Sequence, residues 1–282
     1  MNILSDIKSI IKFIVSEDII FLFRKLMKKE ITFELIDKKN TERVFNDIVG
    51  YQREDIFRKV KRATSVVLGG EALWERDGTL FFSEEIDWHI MTAIGLAANS
   101  RSQNNKTPIQ IVDFGGSLGS SYLKNKALLE TYDFQWKIVE QDFVVSLAAD
   151  MNFEEPLSFH PVSKLSAIQK IDLLIFSASL QYLSAPYELL DQILENRPPF
   201  VLLDKTIFND SKSDMLYLQR VPSNINRAVY PCWSFAKTNM TSFFEKKGYT
   251  KISETESIKF KSLKQINSQF RMILFRRSDA HL

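Results

Sequence analysis

The chain has 282 residues, 45 % of them hydrophobic and 26 % charged, with nine Gly, eight Pro and one Cys. That composition excludes disordered, collagenous and disulfide-framed chains, and the length is enough to bury a core without a metal or a cross-link. The charge is nearly balanced, 37 Lys+Arg against 35 Asp+Glu, so no broad positive field favours nucleic acid.

In chain order, Ile3, Ile7, Ile10, Ile11 and Ile14 recur at the spacing of an amphipathic helix. Asp6, Lys8, Lys12, Glu17 and Asp18 interrupt the run before it reaches the roughly 18 apolar residues of a membrane span. No small-residue cleavage site follows, so neither secretion nor a transmembrane span is expected. The helix either packs on the body of the protein or lies peripherally on the inner membrane face, with the basic cluster from Arg24 to Lys29 against anionic lipid. Cys232 stands alone and three scattered His add no zinc-ligand spacing, which fits a cytoplasmic protein and no metal site.

Up to about residue 105 the texture is mainly helical, with a long helix expected over Ile86–Ala98 and an Asn-rich loop at 99–105. From Pro108 short apolar runs alternate with helical patterns, and strands are expected at Ile109–Phe114, Trp136–Val139, Ile171–Ser177 and Phe200–Leu203. This is the rhythm of a parallel α/β sheet. After Lys205 an irregular stretch rich in aromatics and Pro is expected. A helix follows at Met240–Lys247 with Gly248 as its C-terminal cap, then strands around Tyr249–Ser253 and Phe270–Phe275.

The most informative segment is Asp113-Phe114-Gly115-Gly116-Ser117-Leu118-Gly119-Ser120, where a strand runs into an acid, a Gly-rich turn and a helix start. In dinucleotide folds such a turn and the helix N-terminus beyond it receive a pyrophosphate. A carboxylate two residues before the first Gly repels phosphate and suits a cation. S-adenosylmethionine (SAM) carries an ammonium and a sulfonium and no phosphate. Glu140 ends the next expected strand, 140 − 113 = 27 residues on, where an acid can accept both ribose hydroxyls. Ser177 to Gln181 and Asp204 fall at the carboxyl ends of later strands, the edge where open α/β sheets bind ligands.

These segments, with Gly50-Tyr51, Glu75-Arg76-Asp77, Leu180-Gln181-Tyr182-Leu183, Gln219-Arg220-Val221-Pro222 and Tyr230-Pro231-Cys232-Trp233-Ser234-Phe235, resemble class I SAM-dependent methyltransferases encoded in bacterial surface-polysaccharide (O-antigen type) gene clusters. The resemblance covers about residues 50 to 250. One departure is Asp204-Lys205-Thr206, where the family pattern has Asp-Arg-Thr, and Lys does not replace Arg in a bidentate anion contact.

The resemblance implies a Rossmann-like class I methyltransferase sheet at 106–282, preceded by a helical N-terminal region at 1–105 that caps the cofactor or shapes the acceptor pocket. It implies methyl transfer from SAM to a sugar or glycan intermediate, nucleotide- or lipid-linked forms included. Asp113, Gly115, Gly116 and Gly119 are then expected at the methionine end of the cofactor, Glu140 at the ribose, and Ser177 and Gln181 beside the reacting centre. Asp204 and His160 are the candidate bases. Tyr230 and Trp233 could wall an acceptor, and the family pattern alone ranks Glu75, Arg76 and Asp77 as acceptor-binding. No His-x-x-x-His, P-loop or Gly-x-Ser-x-Gly pattern occurs, which disfavours a metal-dependent enzyme, a nucleotide hydrolase and a serine hydrolase. The competing readings are an inactive scaffold subunit of a glycan-assembly complex and a nicotinamide-dependent oxidoreductase.

Overall fold

The computed structural model describes residues 31–48, 54–101, 107–222 and 228–280. The expected helix over residues 3–14, the basic cluster at 24–29, Gly50-Tyr51 and most of the Asn-rich loop lie outside them. Among the described residues no helix is long and apolar enough to cross a membrane.

Five parallel strands form the centre of the sheet, in the order β6 (Leu157–Pro161), β5 (Phe134–Glu140), β4 (Ile109–Phe114), β7 (Leu173–Ser177) and β8 (Phe200–Asn209). The chain proceeds outward from β4 to β6 and then returns to the other side of β4 as β7. That reversal makes the β4/β7 boundary the topological switch point of a Rossmann-like α/β fold, where the carboxyl ends of the strands leave a crevice. Beyond β8 lie β12 (Ser268–Arg277), antiparallel to it, and β11 (Tyr249–Ile258), antiparallel to β12.

The core follows from the two-residue period of the strands. Ile109, Ile111, Leu173, Ile175, Phe200 and Leu202 share one face with Ile90, Ala93, Ile94 and Ala97 of α3 (Trp88–Asn99) and with α4 (Ser120–Leu129). Val112, Phe114, Leu174, Phe176, Val201 and Leu203 occupy the opposite face with α6 (Pro186–Leu194) and α7 (Lys237–Lys246). Earlier in the chain, α1 (Thr41–Asp47) precedes α2 (Glu54–Leu68), and α5 (Asp142–Ala149) connects β5 to β6.

Two expectations change. The stretch after Lys205 is regular: β8 runs on to Asn209, and β9 (Met215–Val221) and β10 (Ala228–Ala236) form an antiparallel pair. Its Pro231 is tolerated because over Ala228–Ser234 β10 pairs with β9 alone, joining β8 only at Phe235 and Ala236. The N-terminal region is less purely helical than expected. β1 (Thr32–Ile36) pairs with β9 at the edge of the main sheet, and β2 (Trp74–Arg76) and β3 (Thr79–Phe81) form a hairpin. α3, in the N-terminal region, packs directly on the parallel strands. β8 has β7 as its neighbour as far as Asp204 and β10 from Phe208. The sheet therefore splits between those two points, beside the crevice.

Candidate functional site

The turn after β4 is built by glycine. Gly115 (φ 73°) and Gly119 (φ 87°) are left-handed, and a Cβ on Gly115 would stand 2.5 Å from the Cβ of Ser179. A Cβ on Gly116 would stand 2.6 Å from Oδ2 of Asp113, so the turn lies flat on that carboxylate. Ser179 Oγ donates to Phe114 O at 2.6 Å and ties this turn to the loop after β7.

Asp113 is 1 % exposed, and among the described residues neither of its oxygens has a hydrogen-bond partner. Burial pushes its carboxyl up to about 7 and Glu140 adds to the rise; the Trp136 indole and Lys205 act the other way. The buried Trp136 indole N–H acts on it from outside hydrogen-bond geometry, so the acid stays unsatisfied, a rare state in a folded protein that a cation placed over the turn would relieve. Glu140, at the end of β5, accepts from Ser117 N at 3.1 Å and Gln141 N at 2.9 Å. Burial raises its carboxyl, and those two amides oppose the rise.

Across the crevice Asp204, fully buried at the point where β7 ends, collects four donors. It faces His89 Nδ1 at 3.0 Å, Ser257 Oγ at 2.9 Å, Ser177 Oγ at 3.3 Å and Lys205 Nζ at 2.8 Å. Burial alone would raise its carboxyl, but His89, Lys205 and Ser257 outweigh that and hold it below the ordinary range. The Lys205 ammonium also pairs with Asp87 and so sits between two acids. Asp87 holds the N-cap position of α3 but makes no side-chain cap bond, its carboxylate being committed to Lys205. The Asp204 hydrogen bond raises the His89 imidazole; burial and Lys205 lower it, while the charges of Asp204 and Asp87 add to the rise. Asp87, His89 and Asp204 could each offer a ligand atom to one metal ion, all within 4.8 Å of one another. The ammonium of Lys205 supplies a positive charge there already.

The remaining expected site residues divide by position. Gln181 is buried beside the crevice and donates through Nε2 to Lys205 O at 3.1 Å, with its Oε1 unpartnered among the described residues. His160 lies on β6, separated from β7 by β5 and β4, and contacts Ser158 Oγ at 3.0 Å. Burial lowers its imidazole, as do Lys137 and Lys164. Glu75 is fully buried on β2, accepting from Ser120 Oγ at the start of α4 and from Gly78 N at 2.9 Å. Burial raises its carboxyl. Asp77 (φ 51°) and Gly78 (φ 74°) make the two-residue hairpin turn between β2 and β3, with Arg76 just before it.

Tyr230 is 4 % exposed and packs edge-on against Tyr182 at 6.0 Å, and the Trp233 indole donates to Leu183 O at 3.0 Å. Tyr182 in turn donates to Gln219 Oε1 at 3.2 Å. The consecutive strands β9 and β10 thus meet the loop after β7.

Sequence reasoning missed His89, Asp87 and Lys205 as one network. Its only local trace is Asp87-Trp88-His89 at the head of an expected helix, a pattern that ordinarily reads as an N-cap. A separate cleft of about 780 Å³ opens at the other edge of the sheet, where β5 and β6 begin, lined by Lys61, Tyr132, Phe134, Asp150, Glu155 and Leu157.

No protein-family model matches the chain, and no curated protein matches its sequence. Among solved structures it is similar to the 1,6-didemethyltoxoflavin-N1-methyltransferase of Burkholderia thailandensis with bound 1,6-didemethyltoxoflavin and S-adenosylhomocysteine (SAH). The identity is 15 % over 80 % of this chain and 90 % of that one, with a TM-score of 0.42. It is also similar to the magnesium protoporphyrin IX methyltransferase (ChlM) of Synechocystis PCC 6803 with bound SAM, at 12 % identity over 67 % and 80 % of the two chains, TM-score 0.43. A third is a single-residue variant of LepI in complex with SAH and a substrate analogue, at 10 % identity and TM-score 0.47; the match covers 65 % of this chain and 46 % of LepI.

Proposed function

We propose that this protein is a SAM-dependent methyltransferase acting on a sugar or glycan intermediate of surface-polysaccharide assembly. The observation that carries the first half is Asp113, a buried carboxylate with neither oxygen partnered among the described residues, directly beneath a glycine turn at the switch point of the sheet. A pyrophosphate over that turn would meet the carboxylate's repulsion, whereas the ammonium of a methionine moiety would offset an unpaired buried charge. Gly115, Gly116 and Gly119 would form the cradle and Asp113 the counter-charge. Glu140 would hold the ribose, and Ser177 and Gln181 would stand at the reacting end. SAM supplies an electrophilic methyl group there, and the chain's own task is to orient the acceptor and exclude water.

The glycan acceptor is supported by the sequence resemblance. The segments that carry it, around Leu180–Leu183, Gln219–Pro222 and Tyr230–Phe235, converge beside Gln181 through Tyr182, Gln219, Tyr230 and Trp233. Glu75, Arg76 and Asp77, on the hairpin over the start of α4, are proposed at the acceptor's entrance, and His160 on the adenine side. A cytoplasmic location at the inner membrane face, where lipid-linked glycans are assembled, fits this acceptor.

Isothermal titration calorimetry tests the reading. SAM and SAH are expected to bind saturably and NAD not at all, with Asp113→Asn and Glu140→Gln each weakening the adenosyl ligands at least tenfold. Heat from NAD alone, or from no ligand at millimolar concentration with a folded protein, would replace this reading with the oxidoreductase or the scaffold respectively.

A further inference from the structure

Resting on the methyltransferase reading, we infer that His89 is the general base of this site, oriented by Asp204, and that the acceptor atom is a neutral hydroxyl oxygen. A nucleophile that is already charged needs no base. A hydroxyl must lose its proton as it is methylated, and a side chain held for that purpose shows a recognisable arrangement: a base, and a third group that fixes its tautomer. His89 has it. Its Nδ1 lies 3.0 Å from Oδ1 of Asp204, a carboxylate that holds no proton, so Nδ1 is the donor and the neutral ring keeps its lone pair on Nε2. Among the described residues Nε2 makes no hydrogen bond, and the side chain is 25 % exposed where the dyad partner is wholly enclosed.

Asp204 is a positioning residue. Ser257 of β11, Ser177 of β7 and Lys205 of β8 saturate it from three strands, so it can neither turn away nor serve readily as the proton acceptor that the sequence suggested. The charged groups facing His89 are Asp204, Asp87 and Lys205. Two negative charges and one positive leave the neutral imidazole in a net negative setting, which favours the imidazolium that forms as the proton arrives. The acceptor oxygen attacks the sulfonium methyl carbon while the C–S bond breaks with its electron pair going to sulfur, and the hydroxyl proton passes to His89 Nε2. The products are a methyl ether, SAH and a protonated His89 paired with Asp204, and atoms and charge balance.

The test needs no identified acceptor. The chain has three His, so long-range ¹H–¹⁵N spectra of the imidazoles can be assigned by the signal that His89→Gln removes. The neutral form of His89 is expected to carry its proton on Nδ1 and to titrate above the ordinary value for histidine, falling in Asp204→Asn. Saturating SAM is expected to lower the His89 pKa, because a sulfonium arrives nearby, whereas SAH, which lacks that charge, leaves it in place. A proton on Nε2, or a pKa indifferent to SAM against SAH, would overturn the assignment even in a protein that binds both. No SAM binding by the unsubstituted chain would overturn the methyltransferase reading and this inference with it. Once an acceptor is in hand, His89→Gln is expected to lower kcat about a hundredfold or more with the SAM Kd unchanged.

Discussion

Asn125 holds Asp87 in place: its side-chain oxygen accepts the Asp87 backbone N–H at 2.9 Å, and its Nδ2 donates to Ser121 O at 2.8 Å. Asn125 belongs to α4, the helix that starts at the glycine turn, and Asp87 opens α3, which carries His89. One buried amide therefore links the proposed cofactor cradle to the proposed base.

Asn125→Ala is expected to lower stability by about 1–3 kcal/mol, the cost of orphaning a donor that no longer meets water. The change is local as well as global, so hydrogen exchange at the Asp87 amide is expected to accelerate more than exchange in the parallel strands. Unaltered exchange at Asp87 would show that the loop is held by something other than this bond.

Gly115→Ala meets two obstacles, the left-handed backbone and the Ser179 Cβ. The first costs on the order of 1–2 kcal/mol and the second about 1–3 kcal/mol. Ser179→Gly in the same chain is expected to recover some of the second and none of the first. Urea unfolding of the two single variants and the double variant checks this, and strict additivity would mean that the two positions do not touch.

Asp113 makes the ligand-free protein pH-sensitive. Its folded-state carboxyl is raised from 3.8 to about 7, so between those values the native state keeps a proton that the unfolded chain releases. Its contribution is full below pH 4 and is lost as pH rises to 7. Asp113→Asn removes that slope. The stability of the variant relative to the parent is expected to improve by about 2–3 kcal/mol from pH 5 to pH 8, at 1.36 kcal/mol per unit, even as SAM binding weakens. Denaturant titrations at the two pH values giving parallel profiles would show that Asp113 ionises normally.

Much of the fold was legible because its signals are local. The apolar run Ile109–Phe114 is β4 itself, Gly115 and Gly119 after it are left-handed, and Gly248 follows α7 with φ 81°. The stretch after Lys205 looks irregular in sequence because its aromatics and Pro231 obscure alternation, and β10 becomes a strand through its pairing with β9 and, at its end, β8. Similarly β1 exists by pairing with residues 216–220, in a distant segment of the chain.

The site divides the same way. The strand, the acid and the glycine turn follow from local sequence, since strand period and left-handed turns are properties of neighbouring residues. Local sequence also brought an acid to the end of β5. Long-range packing encloses Asp204 with donors and brings beside it the imidazole of His89, 115 positions earlier in the chain. That pairing depends on α3 packing across the parallel strands and on the β8 neighbour changing from β7 to β10 just past Asp204. Periodicity says which face of an element is buried, and not which buried faces will meet.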